Sequence, residues 1–113
     1  MKPETQFRQA QVIPFLKTLK CTVYFPVQQV AIVGTPDMLL CCRGRFVALE
    51  LKSRGGTLSP LQKYNLDRVS ARGGVAIVAS PDNWAGVKSV LTALDEGEED
   101  DHIKILRASG VQF

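Results

Sequence analysis

The sequence predicts an α/β (α+β) fold in which a central mixed β-sheet is flanked by helices. Three observations predict it. Apolar residues recur at helical spacing near the N-terminus, and start and stop signals bound a second helix over residues 60–71. Short β-branched and apolar runs of strand length lie between and after those segments. Glycine or proline punctuates the changes of period. A chain of 113 residues has room for one core, so residues 1–113 are read as a single domain.

The elements follow in order. Phe7, Ala10, Ile13, Leu16 and Leu19 recur every three residues behind Pro3, which predicts an amphipathic helix. Pro14 lies inside that pattern, removes a backbone donor and predicts a kink or break. Thr22 to Val33 reads as one or two strands around Pro26, ended by Gly34. Asp37 to Cys42 and Arg45 to Lys52 read as strands joined by an Arg43-Gly44 turn, a hairpin. Ser59-Pro60 reads as an N-cap and first helical residue for a helix to Ala71, closed by Gly73-Gly74. Val75 to Ala79 is a continuous apolar run, as in a strand covered on both faces. A helix from Asn83 to Leu94, a solvated acidic loop from Asp95 to Asp101, and a last strand from Ile103 to Leu106 complete the expectation.

Composition narrows the function. With 45% hydrophobic and 22% charged residues the chain reads as an ordinary globular protein. It contains no apolar stretch of the roughly 18–20 residues that a transmembrane helix needs, and no apolar segment behind Met1 to act as a secretory signal. A cytoplasmic location without membrane contact is therefore expected. Cys21, Cys41 and Cys42 make an odd set with two adjacent members, read as reduced and mostly buried. With His102 as the lone histidine they do not suggest zinc. Residues 1–94 carry twelve Lys and Arg against five acids, a net of +7. A basic body suits a polyanion such as nucleic acid, and a solvated basic face accounts for it equally well.

Chemistry enters at the hairpin. Residues two apart in a strand share a face, so Glu50 and Lys52 project together while Leu49 and Leu51 turn to the other layer. If Asp37 begins the neighbouring antiparallel strand, its carboxylate approaches that of Glu50. Two converging carboxylates, with the Leu51 carbonyl nearby, form an oxygen site for Mg²⁺ or Mn²⁺. Such a cation activates water and polarises a phosphodiester, and Lys52 can orient the water or stabilise the transition state.

The run Gly34-Thr35-Pro36-Asp37, twelve residues, then Glu50-Leu51-Lys52 resembles the PD-(D/E)xK nuclease signature. Ser59-Pro60-Leu61-Gln62 and the strand Val75 to Ser80 resemble the virus-type replication-repair nuclease (VRR-NUC) branch of that superfamily. The likeness covers roughly residues 4 to 84. It implies a restriction-endonuclease-like core. Asp37 and Glu50 would be metal ligands, Lys52 the catalytic lysine, Gln62 an active-site residue, and Glu4 the glutamate of the first helix. It further implies a metal-dependent DNA endonuclease leaving 5′-phosphate ends, a branched substrate such as a four-way junction, and a homodimer; a less selective nickase of duplex or flaps and a DNA-binding subunit without turnover are the alternatives.

Plainer roles stand beside these. Asp37 suits a turn after Pro36, Glu50 and Lys52 an exposed ion pair, Gln62 an exposed helix position, and Glu4 a first-turn acid facing the helix dipole. Arg54 and Lys63 are candidates for DNA contact, with a solvated surface as the alternative. Trp84 and Tyr64 read as anchors at a core edge rather than stacking platforms. Gly55-Gly56 lacks the lysine and hydroxyl of a P-loop, so no nucleotide cofactor is expected. The acidic run lacks the ligand alternation of a calcium loop.

Overall fold

The protein is described from a computed structural model over residues 2–27 and 33–98. Helix α1 (Pro3–Phe7) and helix α2 (Ile13–Leu16) are joined by a π-helical turn, Arg8–Val12. Pro14 is the physical cause. Its ring crowds the carbonyl four residues back, and the widened turn gives that carbonyl space without ending the helix. The wider turn also changes which residues face inward. Phe7 and Val12, five apart, are buried with Leu16, whereas Ala10, expected inside from a three-residue spacing, is exposed.

Four strands follow, β1 (Thr22–Pro26), β2 (Met38–Cys42), β3 (Arg45–Leu51) and β4 (Val75–Ala79), in the spatial order β1-β2-β3-β4. The first three are antiparallel; β4 runs parallel to β3 and is reached through helix α3 (Pro60–Ala71). Helix α4 (Trp84–Glu96) follows β4. The architecture is α+β, a mixed four-stranded sheet with helices on both sides. The expected strand through Val33 ends at Pro26; residues 28–32 and the expected strand Ile103 to Leu106, like His102, lie outside the described residues.

The two sheet faces are unequally covered. Met38, Leu40, Val47, Leu49, Leu51 and Ile77 point to one side, against Phe7, Val12, Leu16 and the inner face of α4. Each such fully buried side chain contributes about 1.5–3 kcal/mol. Trp84 is buried at this junction, edge-on to Phe7 at 5.4 Å and to Phe15 at 5.6 Å, so it ties α4 to the N-terminal helices. On the opposite side Leu66 of α3 covers Ala48 and Ala76, with Leu39, Leu58, Val69 and Val78 alongside. That single helix leaves the outer half of the sheet uncovered among the described residues. Val23, Phe25 and Phe46 are 49%, 60% and 46% exposed there.

Three expectations need correction. The cysteines are all free, but only Cys42 is buried; Cys41 alternates onto the uncovered face, and Cys21 precedes the edge strand. Tyr64 is 58% exposed, not a core anchor, because it lies on the outer side of α3. The acidic loop does not begin at Asp95. Helix α4 continues to Glu96, and Asp95 is buried, its Oδ1 accepting from the Cys21 backbone N–H at 2.7 Å and the Thr22 hydroxyl at 2.8 Å. Arg43 Nε donates to the Asp95 carbonyl at 2.8 Å. Gly97, at φ 80°, then closes the helix in the left-handed conformation, and Glu98 N–H returns to the Ala93 carbonyl.

Candidate active site

The site is set by a turn at the far end of the hairpin. Arg43 and Gly44 have φ 48° and 84°, the pair of positive values that a type I′ turn requires. A two-residue turn fixes register. Met38 therefore pairs with Leu49, and one step beyond the paired residues Asp37 falls opposite Glu50. The Asp37 Oδ2 accepts the Leu51 backbone N–H at 2.8 Å, which pins the carboxylate to the end of β3.

The loop that delivers Asp37 lies on α3. Asn65 Nδ2 donates to the Gly34 carbonyl at 3.1 Å. A Cβ at Gly34 would stand 2.8 Å from Leu61 Cγ and 2.9 Å from Asn65 Nδ2, and its φ of 84° independently favours glycine.

Glu50 is 2% exposed. Its Oε1 accepts from Gln62 Nε2 at 2.9 Å, and its buried Oε2 receives no donor. Burial first, then the neighbouring Asp37 charge and a carboxyl–carboxyl hydrogen bond with Asp37, push Glu50 up to about 8, against a smaller opposing pull from Lys52. Near neutral pH Glu50 therefore keeps its proton. The two carboxyl groups lie too close to ionise together: no donor reaches Glu50 Oε2, and the proton that Glu50 retains is what bonds it to Asp37.

Lys52 emerges just past β3, its Nζ donating to Gln62 Oε1 at 2.9 Å. The same oxygen accepts the Ser59 backbone N–H at 2.9 Å, and Ser59 Oγ accepts the Gln62 N–H at 3.1 Å. This is a capping box: the device that starts α3 also orients the amide that bridges Lys52 and Glu50. Two donors on one oxygen fix which way the amide points. Serine followed by proline was the sequence signal for the cap; its use as a strut to β3 needed the fold.

Glu4, half-buried in the first turn of α1, joins the cluster electrostatically. Desolvation raises its pKa, Asp37 raises it further, and Lys52 opposes. Asp37, Glu50, Lys52 and Gln62 thus form one connected group with Glu4 beside it. Arg54 and Lys63 lie outside. Arg54 pairs with Asp82, which also accepts the Gly55 N–H, and Lys63 pairs with Asp67 at 3.2 Å. Both pairs are solvent-exposed, worth at most about 1 kcal/mol, so a phosphate could displace either carboxylate.

The donor set fits a hard divalent cation. The Asp37 and Glu50 carboxylates, the latter with a buried Oε2 that no donor reaches, supply oxygen ligands, and Mg²⁺ commonly takes only one or two protein carboxylates with water and substrate phosphate. Among the described residues no group of three or more His, Cys, Asp or Glu side chains is placed to hold a metal ion. Also among them, no helix is long and apolar enough to cross a membrane. Comparison with family models, curated proteins and solved structures finds no match for this chain.

Proposed function

We propose that the chain is a divalent-metal-dependent DNA endonuclease with a restriction-endonuclease-like core, akin to the VRR-NUC branch of the PD-(D/E)xK superfamily. One observation carries this reading: Gln62 ties Lys52 to Glu50, and the Asp37 carboxylate, pinned by the Leu51 N–H, stands against the buried Glu50 carboxyl. Holding two carboxyl groups in a buried pocket so close that they do not ionise together costs stability, a cost that a cation site accounts for and a merely structural ion pair does not.

Asp37 and Glu50 would hold Mg²⁺ or Mn²⁺, with the Leu51 carbonyl as a further candidate. When bound, the cation supplies Lewis-acid polarisation of the phosphoryl oxygen and a more acidic water. Glu50 gives up its proton as the site is loaded. Lys52, held by Gln62, orients the attacking water or offsets charge developing on the phosphate. Gln62 positions both Lys52 and Glu50. The basic excess over residues 1–94 suits a DNA substrate. The resemblance adds 5′-phosphate products, a branched substrate such as a four-way junction, and two copies acting as a homodimer.

The test is incubation with labelled four-way junction, flap, nicked and linear duplex DNA in Mg²⁺, Mn²⁺ or chelator, beside Asp37→Ala. Metal-dependent cutting that the variant loses supports the reading, and undiminished cutting by the variant defeats the site. A second reading, a DNA-binding subunit without turnover, draws on the smallness of the acidic cluster. It predicts salt-sensitive binding and no cutting by the wild type.

A further inference from the structure

A groove runs away from Asp37 along the seam between α3 and the uncovered half of the sheet. It encloses about 400 Å³ and begins at Thr35 and Pro36, the residues immediately before Asp37. Leu39 and Phe46 floor it, and Asn65, Arg68, Val69 and Arg72 form the α3 wall. Phe46, Ala48 and Glu50 alternate onto one face of β3, so the groove floor and the Glu50 carboxyl share a sheet face, about 13 Å apart along the strand.

Two properties define what would lie there. The floor continues outward as an exposed apolar surface, because Phe25 pairs with Leu39, and Cys41 lies between Val23 and Phe46. Phe25 and Phe46 are 60% and 46% exposed, so two aromatic rings are open on this side of the sheet. The wall is cationic. Tyr64, Arg68 and Arg72 recur at four-residue spacing on α3. The Arg68 guanidinium sits 5.4 Å over the Tyr64 ring and donates to Asn65 Oδ1, and Arg72 donates to the Arg68 carbonyl. Neither arginine is paired with a carboxylate among the described residues, and the groove lining contains no acid.

We propose that this groove binds an unpaired DNA strand, with bases against Phe46 and the adjoining sheet surface and phosphates on Arg68 and Arg72. Base–aromatic stacking beside a cationic wall is how proteins hold single strands without reading their sequence. A second copy of the chain is the competing occupant of an apolar face. A two-fold interface centred here would bring Arg68 and Arg72 of both copies close together without acidic partners, and that like-charge encounter favours the polyanion. The inference rests on the nuclease reading, and deepens it: the strand in the groove would be the unpaired arm of a branched substrate, leading toward Asp37 and Glu50.

The experiment measures fluorescence anisotropy of labelled oligothymidylate and of a duplex of equal length, in chelator, using the full chain, Phe46→Thr and Arg68→Gln/Arg72→Gln. The substituted side chains are exposed, and circular dichroism checks that each variant is folded. The single strand is expected to bind at least tenfold tighter than the duplex. Phe46→Thr should weaken it about tenfold, and the double variant should flatten the salt dependence by about 1.4 in log–log slope, 0.7 for each lost phosphate contact. Equal affinity for both forms, or an unchanged Phe46→Thr, overturns the proposal. So does a dimer in sedimentation that Phe46→Thr dissociates without changing strand affinity. Cleavage assays in Mg²⁺ separate the two readings. Cutting without groove-dependent strand binding removes the groove and leaves the nuclease; strand binding without any cutting removes the nuclease and leaves the groove.

Discussion

Gln62 accepts the Lys52 ammonium at 2.9 Å on the amide oxygen that also closes the cap of its own helix. The start of α3 and the position of the lysine are therefore one interaction, and disturbing either disturbs both.

Gln62→Ala is expected to lower stability by about 1 kcal/mol, the usual worth of a cap, while leaving Glu50 without its amide donor and Lys52 without its acceptor. Cleavage should fall more than DNA affinity does. Urea denaturation and single-turnover kinetics measure the two effects separately. A stability loss with an unchanged cleavage rate would show that the strut does not serve catalysis.

Lys52→Ala should lose rate rather than affinity, because a group acting mainly in the transition state lowers kcat and kcat/KM together. Glu50→Ala and Asp37→Ala should abolish cleavage, and metal-free DNA binding should hold or tighten once a carboxylate near the phosphates is gone. Weakened metal-free binding by both variants would contradict that arrangement.

The raised Glu50 pKa gives a signed dependence on pH. The folded chain binds a proton at Glu50 that the unfolded chain releases above its ordinary carboxylate value of 4.5, so folded-state protonation exceeds unfolded between there and about 8. The contribution to stability is complete below 4.5 and is lost as pH rises through 8. Glu50→Gln should therefore gain stability relative to wild type on going from pH 5 to pH 9, and Mg²⁺ should protect the wild type more at pH 9. Thermal melts at both pH values, with and without Mg²⁺, check this; a difference that does not vary with pH would refute the assignment.

Gly34→Ala should destabilise the fold by about 1–3 kcal/mol, since the new methyl meets Leu61 and Asn65 and the residue is held at positive φ. The loop lifts from α3 and carries Asp37 with it, so activity should fall even below the melting transition. A variant of normal stability and rate would show that the loop has another way to lie.

Asp95→Ala removes the acceptor for Cys21 N–H and the Thr22 hydroxyl, with an expected cost of about 1–3 kcal/mol and no direct effect on Asp37 or Glu50. Denaturant midpoints read the loss. Midpoints equal to wild type would put Asp95 back among the solvated acids.

The hairpin was legible in the sequence because a two-residue turn leaves one register, and that register alone sets Asp37 against Glu50. The N-cap was legible for a local reason too, serine followed by proline at positions 59 and 60; that Gln62 closes it into a capping box came from the structure. Ala10 was misread since a π turn changes the helical period, and Pro14 announces a disturbance without specifying its form. Asp95 was misread because its partners lie 73 and 74 positions away, and nothing local sets it apart within a run of six acids. The exposure of Cys41, Phe25 and Tyr64 depends on which half of the sheet one helix covers, a tertiary fact with no local signature.

Strand order along the sheet is also chain order, and this bears on how the site is acquired during folding. The carboxylate pair belongs to a hairpin closed by two residues, a contact that forms in about 1–10 μs. The lysine–glutamine link spans only ten positions, but it needs α3 seated on the sheet, and the crossover through α3 closes with the parallel pairing of β4 to β3, a slower and less local event. The two halves of the site thus arise at different stages. Substitutions in the Arg43-Gly44 turn should slow refolding, whereas those at Gln62 should chiefly hasten unfolding, and a chevron analysis giving the reverse pattern would place assembly of the crossover first.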